Sequence, residues 1–399
     1  MDFSISEYFK TYGYSQKAVE KASIFETIVN GEETTRKRLN QIYKVRPNNI
    51  TMQVQELINQ GLVLEGQPVR SSKQGRPEIL LRANPGKLVS IGIWVESDKL
   101  SGAALDMNGK LYLRHSIQLG PDTGNAEFQK SLFDLIDRIS SRVSSSQTIT
   151  GIGLSLPGFS DITEQKWTFN SRWPGVSDYD FSPVKARYGL PLSLDQKLES
   201  ELAALVGKNK RYKDKNIFLV HWGFGIGGAY SHQGMVLHSK FGSFAEIGHT
   251  KVQNPKHLKC KCGEFDCVET IASGWALMPY LRQKLGAVPE NETDLGRLLS
   301  KAHFESDPVM KEAIGTLSQA MSMVYRIFCP DLVLFYGPFT MNMFVRQELR
   351  GEIDSISPSY AKGVELQFLD KDLSEYDPLG AAMGFIKDEL VRQLMPASN

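Results

Sequence analysis

Apolar residues recur at helical spacing through the first sixty positions, and at strand spacing broken by helices through the rest of the chain. Val19, Phe25, Ile28 and Val29 predict an amphipathic helix ending near Asn30-Gly31. Thr34-Thr35 begin a second helix, whose inward face is Leu39, Ile42 and Tyr43. Pro47 opens a third, because the missing N–H of proline costs nothing at a first helical position. Ile50, Val54, Leu57 and Ile58 give that helix its apolar stripe, and Gly61 ends it. Leu62-Val63-Leu64 then start a hairpin whose tip, Arg70 to Pro77, is basic and punctuated by Gly75 and Pro77.

From about Lys87 the pattern changes to alternating strands and helices. Leu88 to Val95 reads as a strand, and Leu100 to Leu119 as a hairpin folded at Asn108-Gly109. Phe128, Leu132, Leu135, Ile136, Ile139 and Val143 mark a helix, and Ile152 to Leu156 a buried strand stopping at Pro157-Gly158. A second cycle has a strand over Ile217 to Trp222, a hairpin at Gln233-Gly234, a long helix from Pro308 to Cys329, a strand over Asp331 to Tyr336 and a closing helix after Gly380. Cys329 is expected to be an inert core residue at its helix end. The expected class is α/β: an N-terminal winged helix-turn-helix followed by a body of two similar lobes around a cleft. A chain of 399 residues is too long for one core. The expected division is a winged helix-turn-helix at 1–66, wing and linker at 67–86, a first lobe at 87–200 joined by a C-terminal helix at 380–396, and a second lobe at 201–379.

The face of the third helix opposite its apolar stripe offers Asn48, Asn49, Thr51, Met52, Gln53 and Gln55. Amides and hydroxyls read base edges in a major groove, whereas an ordinary solvated face carries more Glu and Lys. Arg76 in the wing suits a narrow minor groove. Residues 1–85 hold 12 Lys and Arg against 9 Asp and Glu, while the remainder holds 34 against 36, so the basic character sits where DNA would bind. The partner expected is double-stranded DNA with a palindromic operator, bound by a homodimer or a dimer of dimers. The bland alternative is a protein-docking module with a solvated basic hairpin.

Three of the chain's four cysteines, Cys260, Cys262 and Cys267, fall within eight residues, with His249 and His257 upstream. Soft thiolates with one imidazole suit Zn²⁺, and a closed Cys3His set is structural. A polar N-terminus and the absence of a long apolar run predict a reducing cytoplasm and no membrane, so zinc is expected rather than a disulfide. Gly223-Phe-Gly-Ile-Gly-Gly228 matches a dinucleotide fingerprint formally, but the following Ala229 to His238 reads as a hairpin, not the required helix.

Together Gly151 to Gly158, Gly223 to Gly228, Glu246-Ile-Gly-His249, Cys260-Lys-Cys-Gly-Glu-Phe-Asp-Cys267-Val-Glu269 and the helix-turn-helix ending in Gly75-Arg-Pro77 resemble the ROK family of repressors, uncharacterised reading frames and sugar kinases, over nearly the whole chain. The resemblance implies an actin/hexokinase-like body, His249 as the histidine of the zinc set, and Glu246, His249 and Glu269 as groups that hydrogen-bond a sugar. It also implies that Gln196 and Lys197 face the same ligand.

Two departures stand out. Where ROK sugar kinases carry Asp-x-Gly-Gly-Thr to cradle ATP phosphates, this chain has Trp94-Val-Glu96-Ser97-Asp98; where they carry the catalytic aspartate, it has Asp195-Gln196-Lys197. An ammonium is not a general base for a sugar hydroxyl at its ordinary pKa. Lys197 suits a phosphorylated or acidic sugar, or it pairs with Asp195, Glu199 or Glu201. The expectation is a transcriptional regulator, a repressor, that senses a sugar or sugar phosphate without phosphorylating it. A regulator with a protein partner as input and an active ROK kinase are the alternatives.

Overall fold

A computed structural model describes residues 4–31, 34–69, 77–96, 98–170, 173–239, 244–253, 256–289, 291–370, 373 and 375–395. At the N-terminus, α1 (Ile5–Thr11), α2 (Gln16–Asn30), α3 (Arg36–Tyr43) and α4 (Pro47–Asn59) pack with β1 (Thr34–Thr35), β2 (Val63–Val69) and β3 (Glu78–Ala83), whose sheet order is β1-β3-β2. Thr35 does two jobs here: it pairs with Leu80 of β3, and its side chain accepts a hydrogen bond from the Arg38 amide, capping α3. The sequence pattern missed α1, which offers only Ile5 and Phe9 as buried positions. It also misplaced two side chains. Gln53 is buried at 2% exposure, because it lies three residues after Ile50 and four before Leu57, on the stripe itself. Ile42 is 51% exposed, since this short helix buries only Leu39.

The first lobe contains β4 (Leu88–Glu96), β5 (Lys99–Asp106), β6 (Leu111–Gln118), α5 (Asn125–Ser140), β7 (Thr148–Leu156), a small sheet of β8 (Phe159–Asp161), β9 (Lys166–Phe169) and β10 (Tyr179–Asp180), α6 (Ser182–Tyr188) and β11 (Leu192–Gln196). Its main sheet has the order β11-β7-β4-β5-β6, with β4, β7 and β11 parallel. β4 and β7 read as nearly unbroken apolar runs because parallel strands are covered on both faces.

The second lobe follows with α7 (Lys197–Lys208), β12 (Ile217–Trp222), β13 (Ile226–His232), β14 (Met235–Val236), α8 (Glu269–Ala272), α9 (Gly274–Leu285), α10 (Glu292–Leu299), α11 (Pro308–Ile327), β15 (Leu332–Tyr336), α12 (Met343–Ile356) and β16 (Glu365–Phe368). Its sheet order is β14-β13-β12-β15-β16. α11 stops at Ile327, and Cys329, at φ 43°, is exposed rather than in the core. A helix cannot extend through a residue in left-handed conformation, so the side chain swings out.

The closing helix, α13 (Asp377–Leu394), returns to the first lobe. It begins earlier than expected, with Pro378 in the first turn, where proline is tolerated. Two glycines allow it to lie against its neighbours: a Cβ at Gly153 of β7 would run into the Ala381 backbone, and one at Gly380 into the Ser200 backbone of α7. The expected divisions at 66/67, 200/201 and 379/380 therefore fall inside β2, α7 and α13.

Candidate functional site

The C-terminal ends of β7, β11, β12 and β15 open on one cleft of about 990 Å³, the position where α/β sheets bind ligands. The cleft brings together the expected Gln196, Lys197, Glu246, His249 and Glu269, each of which lines it. Glu246 and His249 stand on the short turn Ile247–His249, with His249 Nε2 3.8 Å from Glu246 Oε2 and Gln196 Nε2 3.5 Å from Glu246 Oε1. Glu269, at the start of α8, is more heavily engaged than expected. Its carboxylate accepts the Ile226 amide at 2.7 Å and the Trp275 indole N–H at 3.1 Å, so it ties the glycine-rich turn to α9 as well as facing the cleft.

Lys197 begins α7 and lies 3.6 Å from Glu201 Oε1 and 3.5 Å from Asp377 Oδ2, both carboxyls being fully buried. The expected alternatives Asp195 and Glu199 are taken elsewhere: Ser193 Oγ donates to Asp195, and Glu199 accepts from the Phe244 amide and meets His238 at 2.6 Å. Burial raises the Asp377 carboxyl well above its ordinary range; Lys197 opposes this, and Glu201 reinforces it. Burial likewise raises Glu201, whose carboxylate accepts the Tyr336 hydroxyl. Two buried carboxyls thus flank the Lys197 ammonium, which opposes the effect of burial on both.

Beyond them His221 meets Glu292 at 2.8 Å. Burial opposes charge on both, but their mutual attraction prevails: Glu292 falls to about 2 and His221 rises, each stabilising the charged form of the other. Sequence reasoning missed His221, Glu292 and Asp377, which lie 71 and more residues from their partners, and the aromatic walls Phe159, Phe224 and Trp275.

Below Glu246 the chain makes two isolated antiparallel bridges, Lys251 with Cys267 and Lys259 with Phe265, which bring Cys260 and Cys267 back beneath His249. As a result the donor atoms of His249, Cys260, Cys262 and Cys267 all lie within 4.8 Å of one another. His249 Nδ1 is 3.7 Å from Cys260 Sγ, so one ring nitrogen faces the thiols and the other faces Glu246. His257 is spoken for: it meets Asp266 at 2.7 Å and stacks on Phe265. Burial pushes the Cys267 thiol up to about 12, so a metal entering this cluster must displace thiol protons. Three soft donors and an imidazole converging this closely fit a tetrahedral cation such as Zn²⁺.

The sequence pattern that defines the ROK family matches residues 90–387. The chain belongs to the ROK family. It is similar to the xylose repressor of Bacillus spizizenii, with 26% identity over 368 residues covering 88% of this chain and 90% of that one. It is also similar to the DNA-binding transcriptional repressor Mlc of Escherichia coli strain K12, with 23% identity over 346 residues covering 81% and 82%. Among solved structures its fold is similar to that of a ROK family transcriptional regulator, a homologue of E. coli Mlc, with a TM-score of 0.69 and 20% identity over 95% of this chain and 98% of that one.

Within this ROK body the glycine-rich turn is occupied by the chain's own carboxylates. The Phe224 amide donates to Glu292 at 2.6 Å, and the Ile226 amide to Glu269 at 2.7 Å. Amides already bonded to fixed anions offer a polyphosphate repulsion instead of hydrogen bonds. Across the cleft stand Asp98 and Lys99, where β5 begins, and the sequence from Trp94 to Lys99 contains no glycine.

On the N-terminal unit, α4 turns Asn48, Asn49, Thr51 and Met52 to solvent, with Gln55 beside them. Gln53 is not part of this face, as its burial requires. Arg76 lies outside the described residues.

Proposed function

We propose that this protein is a DNA-binding transcriptional regulator, a repressor, whose body binds a sugar or sugar phosphate in the cleft and does not phosphorylate it. The observation that carries the reading is the joining, in one chain, of an exposed amide-rich helix beside a two-stranded wing with a ROK cleft whose would-be base position is Lys197. The similar xylose and Mlc repressors agree with it in kind. In this reading Glu246, His249 and Glu269 accept from or donate to sugar hydroxyls, Gln196 and Lys197 set which ligand is accepted, and Phe159 and Trp275 supply apolar walls. His249, Cys260, Cys262 and Cys267 would hold a structural Zn²⁺; the ion would fix the loop that carries Glu246 and Glu269, and it would take no part in chemistry. Among the described residues no helix is long and apolar enough to cross a membrane, which agrees with a cytoplasmic regulator. A homodimer or dimer of dimers on a palindromic operator is the assembly this reading entails.

The DNA assignment is tested on DNA selected from a random pool by the parent protein. Alanine at Asn48 or Asn49 is expected to weaken binding by about 1–3 kcal/mol and to relax preference at one or two base pairs, because a lost amide contact leaves a base edge unread. Alanine at the buried Gln53 is expected to leave base preference as it was. Unaltered preference after changes at Asn48, Asn49, Thr51 and Met52 together would remove α4 from the interface.

A further inference from the structure

Helix α13 touches the cleft at one end and the N-terminal unit at the other. Its first residue, Asp377, is fully buried, and its Oδ2 lies 3.5 Å from the Lys197 ammonium, which lines the cleft and keeps 27% of its side chain exposed. Among the described residues the Asp377 carboxyl faces two polar neighbours, the Lys197 ammonium and the Glu201 carboxyl, so the ammonium is what offsets its burial. Seventeen residues later, about 26 Å along the axis, the helix ends in the other unit. Ile386, Leu390 and Leu394 share one hydrophobic cluster with Ile5, Phe9, Phe25 and Leu57. The Gln393 carbonyl accepts from Lys21 Nζ at 3.3 Å and Gln60 Nε2 at 2.8 Å, tying the last turn to α2 and to the end of α4.

We propose that α13 transmits the state of the cleft to the DNA-binding unit, with the Lys197–Asp377 ion pair as its trigger; this rests on the reading of the cleft as an effector site. A ligand bearing an anionic or strongly accepting group competes for the Lys197 ammonium. Lys197 turned toward the ligand leaves Asp377 and Glu201 facing each other without the ammonium between them, which loosens the seat of α13 on α7. The Gly380–Ser200 backbone contact makes that seat intolerant of small shifts, so the loosening passes along a rigid helix instead of being absorbed locally. The far end then moves against α2 and α4, and the exposed face of α4 leaves its DNA-reading position.

The test is hydrogen–deuterium exchange on the full chain with no ligand added. Lys197→Met keeps the apolar stem and removes the charge, and Asp377→Ala removes the partner. Lys284→Met is the control: it breaks the Lys284–Asp307 pair, 2.5 Å long and built on a carboxylate 5% exposed, within the second lobe. Both cleft variants are expected to raise exchange roughly tenfold in residues 386–394 and 16–30, while the control leaves those segments at parental rates. Should Asp377→Ala not fold, Lys197→Met decides alone. Parental exchange in residues 16–30 of Lys197→Met, or an equal rise in Lys284→Met, overturns the proposal. Since no sugar enters the experiment, its outcome is independent of whether a sugar binds, which titration of the parent protein answers separately.

Discussion

Cys267→Ser is expected to abolish metal binding and to lower stability by more than about 4 kcal/mol, among the largest losses a single substitution gives. Cys267 is fully buried, and its backbone carbonyl accepts both the Thr270 amide and the Thr270 hydroxyl, so the same residue that would ligate the ion also starts α8. Serine keeps the volume but gives a poor ligand for a soft site. With the ligand set broken, the loop keeps its backbone bridges and the His257–Asp266 contact but loses the bonds that join Cys260, Cys262 and Cys267 to His249, and with them the anchor between Glu246 and Glu269. Elemental analysis of protein purified without a metal-affinity step should give one zinc per parental chain and none per variant chain, with thermal unfolding reporting the loss. A stoichiometric disulfide, or a metal-free parent of equal stability, would contradict the assignment.

Lys197→Asp restores the residue type that ROK sugar kinases carry at this position, yet it is expected to yield no kinase. Two reasons act together. The Phe224 and Ile226 amides remain bonded to Glu292 and Glu269, leaving the turn closed to phosphates. The new carboxylate would also stand next to Glu201 and Asp377, both fully buried, with the Lys197 ammonium they share removed. Stranding buried charge in this way costs about 3–5 kcal/mol. Urea unfolding should therefore show a destabilised protein, and a coupled assay should show no sugar-dependent ADP release. Turnover in Lys197→Asp would mean that the turn is open after all.

The strands of the body were legible because strand and helix periods leave unmistakable apolar patterns, as in Ile217–Trp222, which the structure matches residue for residue. The clustering of His249 with Cys260, Cys262 and Cys267 was legible for a different reason: three soft thiols with an imidazole in a short stretch have few other uses. What escaped were features decided at a distance. Lys197 was seen to need an anion, and Glu201, one helical turn on, was among the candidates; Asp377 is 180 residues away and unites with it only because Gly380 lets α13 reach α7. Gln53 was misjudged by chemistry rather than by geometry, since its spacing from Ile50 and Leu57 already placed it inward. Cys329 was misjudged because a helix end cannot be located to the residue from apolar spacing alone.

The central claim is that a sugar-type ligand in the cleft releases DNA without being phosphorylated. It is tested most directly by titrating a panel of sugars and sugar phosphates, in the presence of ATP and Mg²⁺, into the full-length protein bound to fluorescent DNA of its own selection, following anisotropy and ADP together. The account predicts that at least one ligand lowers DNA affinity tenfold or more, about 1.4 kcal/mol of coupling, that alanine at Glu246 abolishes the response, and that ADP stays at background throughout. Sugar-dependent ADP release that disappears in Glu246→Ala would contradict it.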